Sequence, residues 1–434
     1  MQFISTRHHS PAVSLSTALE QGLAPDGGLY LPDAWPAPLA SCQQALSIPE
    51  AAERLLSPFF AGDALQSSLP EICREALDLP APVVPSRDPQ VFLLELFHGP
   101  TAAFKDFAAR FLAACFARLR PAEAPTLTIL VATSGDTGGA VAAAFHRRPG
   151  FRVVVLYPDG KVSPRQAHQL GAFGDNVQTF KVSGSFDDCQ ALVKQAFADQ
   201  ELRQQLPLSS ANSISIGRLL PQMSYYAAAA LRWRELYQAP ANFVIPSGNL
   251  GNSLACVLAR KLGLPIGEIV LSTNANRVLP EFLHSGEYQP RASLQTLANA
   301  MDVGAPSNLE RLRALFPQHA DLVQQVSADS VDDGELRRVM ANAESRYGHI
   351  VCPHTAAALA VIQRRQQNGD PRSYIAVATA HPAKFDTVVE PCIGHPVAVP
   401  PALEELLRRP ARAEPLAADY QALRQHLLSG LGTD

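Results

Sequence analysis

The chain has no surplus of positive charge. Its 434 residues carry 36 Lys and Arg against 40 Asp and Glu, a formal net charge of -4, with a pI near 6.3. That balance offers no basic face for nucleic acid and no polybasic patch for a membrane surface. No apolar run approaches the roughly 18 residues of a membrane span. The start, MQFISTRHHSP, lacks the apolar stretch of a signal peptide, so a cytoplasmic protein is expected. Cysteines 42, 73, 115, 189, 256, 352 and 392 are odd in number, scattered and never spaced as CxxC. This argues against a disulfide framework and against a zinc site, so reduced, mostly buried thiols and no metal are expected. Internal repeats are absent, and so is GxxxxGK followed by Ser or Thr, which excludes a P-loop.

What is present describes a globular protein with a large buried interior. Apolar residues make up 47% and charged residues 18%, enough for a large interior. At about 150 residues per domain, two or three domains are expected. Leu79-Pro80-Ala81-Pro82 looks like a linker. We expect an N-terminal domain over 1–82, a smaller α/β domain over 83–220 and a larger one over 221–434. Within these, TLTILVAT (126–133) leads through a glycine-rich turn into the small-residue helix AVAAAFHRR and then the strand RVVVLY (152–157). The pattern recurs at NFVI (242–245), followed by PSGNLGN, a helix and EIVLST, and YIAVA (374–378) ends in Thr379-Ala380-His381-Pro382. Open α/β sheets place their sites at such strand ends. After Phe385 the tail is dense in proline, then resumes a helical pattern at 420–428.

Lys105 stands between Phe104 and Phe107 in FHGPTAAFKDF. If both rings are buried, desolvation favours the neutral amine that forms Schiff bases; the plainer reading is a solvated lysine at a helix start. Phe107, Phe111, Leu112, Cys115, Phe116 and Leu119 recur at helical spacing and would fix Lys105 against the core. Ser247-Gly248-Asn249-Leu250-Gly251-Asn252 joins a strand to a helix, where backbone N–H groups and the helix dipole can hold a phosphate dianion. Ser134-Gly135-Asp136-Thr137 offers hydroxyls and N–H groups to an anionic substrate group, or is simply a helix start capped by Asp136. A dinucleotide reading also exists, because Asp159 follows at roughly the spacing of a ribose-binding acid, but GxGxxG is missing. Thr379 can meet a ring nitrogen without donating a charge. Asn212, Ser213 and Arg218 in SANSISIGR can form a second phosphate clamp, with Lys161 adding a cation.

Together FHGPTAAFKDF, ATSGDTGGA, LYPDGKVSPRQ, SANSISIGR, PSGNLGN, NAMDVGAPSN and TAHPAKF resemble the threonine synthase family of the long, bacterial and fungal type, from STR and DGGLYLP near the N-terminus to Phe385. The resemblance implies a fold-type II pyridoxal 5'-phosphate enzyme, similar to the tryptophan synthase β subunit. Two open, twisted, mostly parallel sheets flanked by helices would carry a small N-terminal domain. It implies that Lys105 carries the cofactor as a Schiff base and acts in catalysis. Ser247, Gly248, Asn249, Leu250, Gly251 and Asn252 would hold the cofactor phosphate, Thr379 its ring nitrogen, and Asp136 would face the ring. Ser134, Gly135, Thr137, Lys161, Asn212, Ser213 and Arg218 would receive the substrate. Many relatives with this fold have Asn where this chain has Asp136, and some long-type members have Asp where it has Asn252. The implied reaction takes O-phospho-L-homoserine and water to L-threonine and phosphate. A phospho-lyase releasing 2-oxobutyrate and a serine or threonine dehydratase are the rival enzymes. The resemblance also implies a monomer, since no regulatory extension of the plant type is visible.

Overall fold

Strands rich in β-branched and apolar residues become buried on both faces when helices cover both sides of a parallel sheet. Leu127–Ala132 and Tyr374–Ala378 are buried at every position. The computed structural model describes residues 1–38, 44–121 and 123–429. Among them, a six-stranded sheet has the spatial order Ser327–Ser330, Ile266–Thr273, Ala241–Pro246, Tyr374–Ala378, Val91–Glu95, Val83–Pro85. It is parallel except at the last pair. A five-stranded sheet, parallel throughout, runs Glu414–Ala417, Val177–Ser183, Phe151–Pro158, Leu127–Ala132, Leu208–Ser209. The expected open, mostly parallel α/β architecture is present.

The pairing cuts across the expected linear partition. Val91–Glu95, in the 83–220 segment, pairs with Tyr374–Ala378, and Glu414–Ala417, in the 221–434 segment, pairs with Val177–Ser183. A strand joins whichever neighbour satisfies its N–H and C=O groups, and nothing in its own sequence names that neighbour. The first 82 residues form an antiparallel ribbon, Phe3–Ser5 with Tyr30–Pro32, and the helices Leu15–Gln21, Ile48–Phe60 and Leu69–Leu77. Their core is not separate. Phe3, Leu15, Leu56 and Phe60 belong to the same buried cluster as Phe107, Phe111 and Leu112 of the helix Lys105–Leu119. Phe60 meets Phe111 edge to face with ring centroids 6.2 Å apart. The N-terminal segment therefore braces the helix that presents Lys105.

The described cysteines are free; Cys392 is half-buried and the other five are buried. Cys42 lies outside the described residues. No described helix is long and apolar enough to cross a membrane.

Candidate active site

The turn before Lys105 is tied down on two sides. Asp106, 1% exposed, accepts hydrogen bonds from the Thr101 N–H at 2.8 Å and the Thr101 hydroxyl at 2.6 Å. The Phe104 N–H donates to the Thr379 carbonyl at 2.9 Å and the His381 N–H to the Ala102 carbonyl at 3.0 Å. Ala103 and Ala380 form an antiparallel bridge between them. Lys105 and Thr379, expected at opposite parts of one ligand, are thus held by a common backbone pairing. Phe107 is fully buried, whereas Phe104 is half-buried with its ring centroid 4.8 Å from the Lys105 Nζ. Burial pushes the Lys105 amine down to about 8, against the pull of Asp136 and with the help of Arg218 and Lys384.

At the end of Leu127–Ala132, the Thr133 hydroxyl accepts from the N–H groups of Gly135 at 3.0 Å and Gly138 at 2.8 Å. Gly135 adopts φ 132°, which side chains rarely adopt, and a Cβ there would lie 2.5 Å from the Gln166 Nε2. Asp136 is the first residue of the helix Asp136–Phe145 and not its cap. Gly135 holds the cap position without a side chain, and the capping bond is supplied by the Thr133 hydroxyl, which accepts the first-turn N–H of Gly138. The Asp136 carboxylate, 4% exposed, receives the Lys384 Nζ at 2.9 Å and the Gln166 Nε2 at 2.9 Å. Burial opposes its ionisation, but Lys384, Lys105 and these hydrogen bonds outweigh burial and hold the carboxyl well below the usual carboxylate range. The N–H groups of Asp136 and Thr137 have no acceptor among the described residues.

In the turn after Ala241–Pro246, the Ser247 N–H donates to the Ser272 carbonyl at 2.8 Å and its hydroxyl to the Ile245 carbonyl at 2.9 Å. Both donors of Ser247 are thereby engaged by the scaffold. Gly248 has to be glycine, since a Cβ would lie 2.8 Å from the Met301 Cα. Leu250 is left-handed at φ 62°, and the helix Gly251–Lys261 begins without a side-chain cap. The N–H groups of Gly248, Asn249, Leu250, Gly251 and Asn252 have no acceptor among the described residues. That set of donors at a helix N-terminus is an anion cradle. The Asn252 Oδ1 accepts from the Tyr225 hydroxyl at 2.6 Å and the Tyr226 hydroxyl at 2.8 Å, which leaves its buried Nδ2 without a partner. An amide suits this position better than a carboxylate because it keeps a donor free.

The second clamp adjoins the first. The Asn249 Nδ2 donates to the Ser213 hydroxyl at 2.7 Å, and the Asn308 Nδ2 donates to the carbonyls of Asn249 at 2.9 Å and Ser213 at 3.3 Å. Arg311, fully buried, fixes Asn308 at 2.7 Å and also bonds the Tyr30 and Ile214 carbonyls at 3.0 Å and 2.7 Å. The Asn249 amide therefore joins loops, accepting from the Ser307 N–H and donating to Ser213, while its backbone N–H is left for a ligand. Arg218, 2% exposed, bonds the Ala211 carbonyl through Nη1 while its Nε has no partner. Burial draws the guanidinium down to about 10, with Asp106 and Tyr225 opposing, so it stays charged at neutral pH.

One cavity of about 950 Å³ gathers these parts. Lys105, Ser134, Asp136, Thr137, Asn212, Ser213, Arg218, Ser247, Gly248, Asn249, Leu250, Gly251, Asn252 and Thr379 all line it. Gly135 does not, because its N–H turns back to Thr133. Lys161 does not either. It is exposed on the turn after Phe151–Pro158, which corrects its expected place beside the substrate. Glu20 to Pro25 also line the cavity, so the N-terminal segment covers part of the site.

Sequence reading missed Lys384, Gln166 and His354. The first two lie inside the quoted motifs TAHPAKF and LYPDGKVSPRQ, but only the folded chain shows that both converge on Asp136. His354, 3% exposed, lines the cavity and accepts the Ala300 N–H on Nε2 at 3.2 Å. Burial pushes it down to about 4, with Asp136 opposing and Lys105 and Lys384 assisting, so it is neutral at pH 7.

Comparison with known proteins agrees with this geometry. A family of pyridoxal-phosphate dependent enzymes matches residues 77–380, flanked by matches to a threonine synthase N terminus over 2–77 and a threonine synthase C-terminal family over 355–427. Threonine synthase of Haemophilus influenzae is 38% identical over 430 residues, covering 99% of this chain and 100% of the relative. The crystal structure of threonine synthase from Escherichia coli superposes with a TM-score of 0.91 at 38% identity, covering 99% of this chain and 100% of that one. A pyridoxal phosphate-bound threonine synthase from Brucella melitensis gives 0.90 at 33% identity, covering both chains in full.

Proposed function

The chain belongs to the threonine synthase family, and on that premise we propose that it converts O-phospho-L-homoserine and water into L-threonine and phosphate, with Lys105 as the catalytic residue. Pyridoxal 5'-phosphate is the cofactor. The residues present fit it: a lysine amine held near 8, a cradle of unbonded N–H groups over 248–252, and the unpartnered Asn252 Nδ2. When bound, the cofactor supplies an electron sink conjugated to the amine-bearing carbon of the substrate.

One observation carries the reading: a second clamp, with the buried and partly unpartnered Arg218, opens into the same cavity as the cofactor cradle. A substrate with its own phosphate needs both. A dehydratase acting on serine or threonine needs one. Arg218, Asn212 and Ser213 hold the substrate phosphate, fix the scissile C–O bond and meet the charge that develops as phosphate leaves. The Lys105 Nζ, as neutral amine, removes the Cα proton and then moves the proton at Cβ. Water adds at Cβ after phosphate departs. Ser134, Thr137 and the N–H groups of Asp136 and Thr137 hold the substrate carboxylate. Thr379 meets the ring nitrogen with a hydroxyl, which favours elimination and replacement over transamination.

Borohydride reduction of the loaded protein followed by peptide mass mapping tests the central assignment. The phosphopyridoxyl group is expected on Lys105, and a label on another lysine would refute the assigned role. We also propose that the chain works as a cytoplasmic monomer. The small number of large apolar side chains left exposed supports this. Light scattering should return the mass of one chain; twice that mass would contradict it.

A further inference from the structure

Lys384 is 1% exposed and stands outside the cavity wall, yet it contacts both elements that approach Lys105. Its Nζ lies 2.9 Å from the Asp136 Oδ1, at the start of the helix Asp136–Phe145, and donates at 2.7 Å to the Thr101 carbonyl, in the turn that presents Lys105. Its own backbone is fixed by the Ser163 hydroxyl on its carbonyl at 2.7 Å, and the neighbouring Ala383 carbonyl receives Arg165 at 2.7 Å. An ammonium this deeply enclosed needs a counter-ion, and Asp136 supplies it. The converse matters more: a lone carboxylate facing a cavity built for phosphates would repel its ligands and hold the Lys105 proton in place.

We infer that Lys384 is a positioning residue whose ammonium neutralises Asp136, so that Asp136 presents a fixed hydrogen-bonding edge to the site while Lys105 remains a weakly held base. The other groups around this pair are accounted for. Arg218 approaches Lys105 from the second clamp. His354 and Cys352 face Asp136 from the helix Pro353–Gln367 and its cap. His381 and Asp106 flank Lys384. Among these, Lys384 alone makes an ion pair with Asp136. The inference rests on the reading of Lys105 as the cofactor-bearing lysine, and the experiment separates the two.

The proton affinity of Lys105 is measured in cofactor-free protein, as the pH dependence of its acetylation quantified by peptide mass spectrometry. This readout needs neither cofactor nor turnover, so it stands whether or not the borohydride label falls on Lys105. Lys384→Gln keeps a donor but removes the charge. It should raise the apparent Lys105 value by about one unit, because Asp136 is then uncompensated. Asp136→Asn combined with Lys384→Gln removes both charges and should return the value close to that of the parent. In loaded protein the pH titration of the cofactor's visible band should move in the same directions. Should Lys384→Gln fail to fold, the double variant, which buries neither charge, should fold and titrate like the parent. A folded Lys384→Gln protein with the parental Lys105 value, a double variant that keeps the raised value, or a double variant that does not fold would overturn the inference. A purely structural Lys384 would move stability without moving this titration.

Discussion

The two sides of the cavity treat their polar groups in opposite ways. Around Lys105, the charges and amides of Asp106, Asp136, Gln166 and Lys384 all find partners within the protein. Across the cavity, the N–H groups over 248–252 and the Asn252 Nδ2 have none, nor has the Nε of Arg218 in the second clamp, which approaches Lys105. A buried donor without a partner costs about 1–3 kcal/mol, so a fold retains such donors where a ligand completes them. The difference separates two tasks. The paired side chains set the charge state of a base, and the donors left open, the Asp136 and Thr137 N–H groups among them, recognise anions.

Substitutions can break that comparison at either end. Lys105→Ala removes the group that the paired side exists to tune, and phosphate release should fall by about 10⁴-fold or more; threonine formation by this variant near the parental rate would contradict the assignment. On the open side, Arg218→Ala should lower kcat/KM by about 10- to 100-fold, as expected for a lost charge-assisted contact, while the protein stays yellow. A colourless Arg218→Ala protein would mean that the guanidinium serves the cofactor instead.

A smaller effect sharpens the contrast between neighbouring donors. Asn252→Ala removes one donor from a cradle made mostly of backbone, so equilibrium dialysis should show pyridoxal phosphate binding weakened by about tenfold. Unchanged binding would place the cofactor phosphate elsewhere.

One expected effect is on stability alone. His354 has a folded-state value of about 4, below its ordinary 6.5. As pH falls, the unfolded chain takes this proton before the folded one does. The His354 contribution is therefore complete above about 6.5 and is lost as pH falls toward 4. Denaturant unfolding of the parent and His354→Gln, compared at pH 7 and pH 5, should show the parent's relative stability decline by about 2 kcal/mol at the lower pH. A pH-independent difference would show that His354 binds its proton as readily in the folded chain as in the unfolded one, and would contradict the value lowered by burial.

The open side was the more legible in sequence. Strand, glycine turn and helix follow one another directly there, and the donors that matter are backbone N–H groups of consecutive residues. The strand Ala241–Pro246 that leads into it announced itself as an apolar run, as did Leu127–Ala132 and Tyr374–Ala378 on the paired side. The paired side was legible only in Lys105 and Asp136. Lys384 and Gln166 stood in plain view within motifs, but their meeting at Asp136 depends on how separate strand ends converge. Sheet membership was hidden for the same reason, since Val91–Glu95 and Glu414–Ala417 take partners far along the chain. Lys161 shows the opposite error: a cation within the motif LYPDGKVSPRQ read as a ligand, yet exposed and outside the cavity.

The most direct test of the account is an NMR time course of the purified, pyridoxal phosphate-loaded protein with O-phospho-L-homoserine, following threonine, 2-oxobutyrate and phosphate together. Threonine and phosphate should appear in equal amounts. Dominant 2-oxobutyrate would make the protein a phospho-lyase, and no phosphate release at all would contradict the reading of the clamp around Arg218.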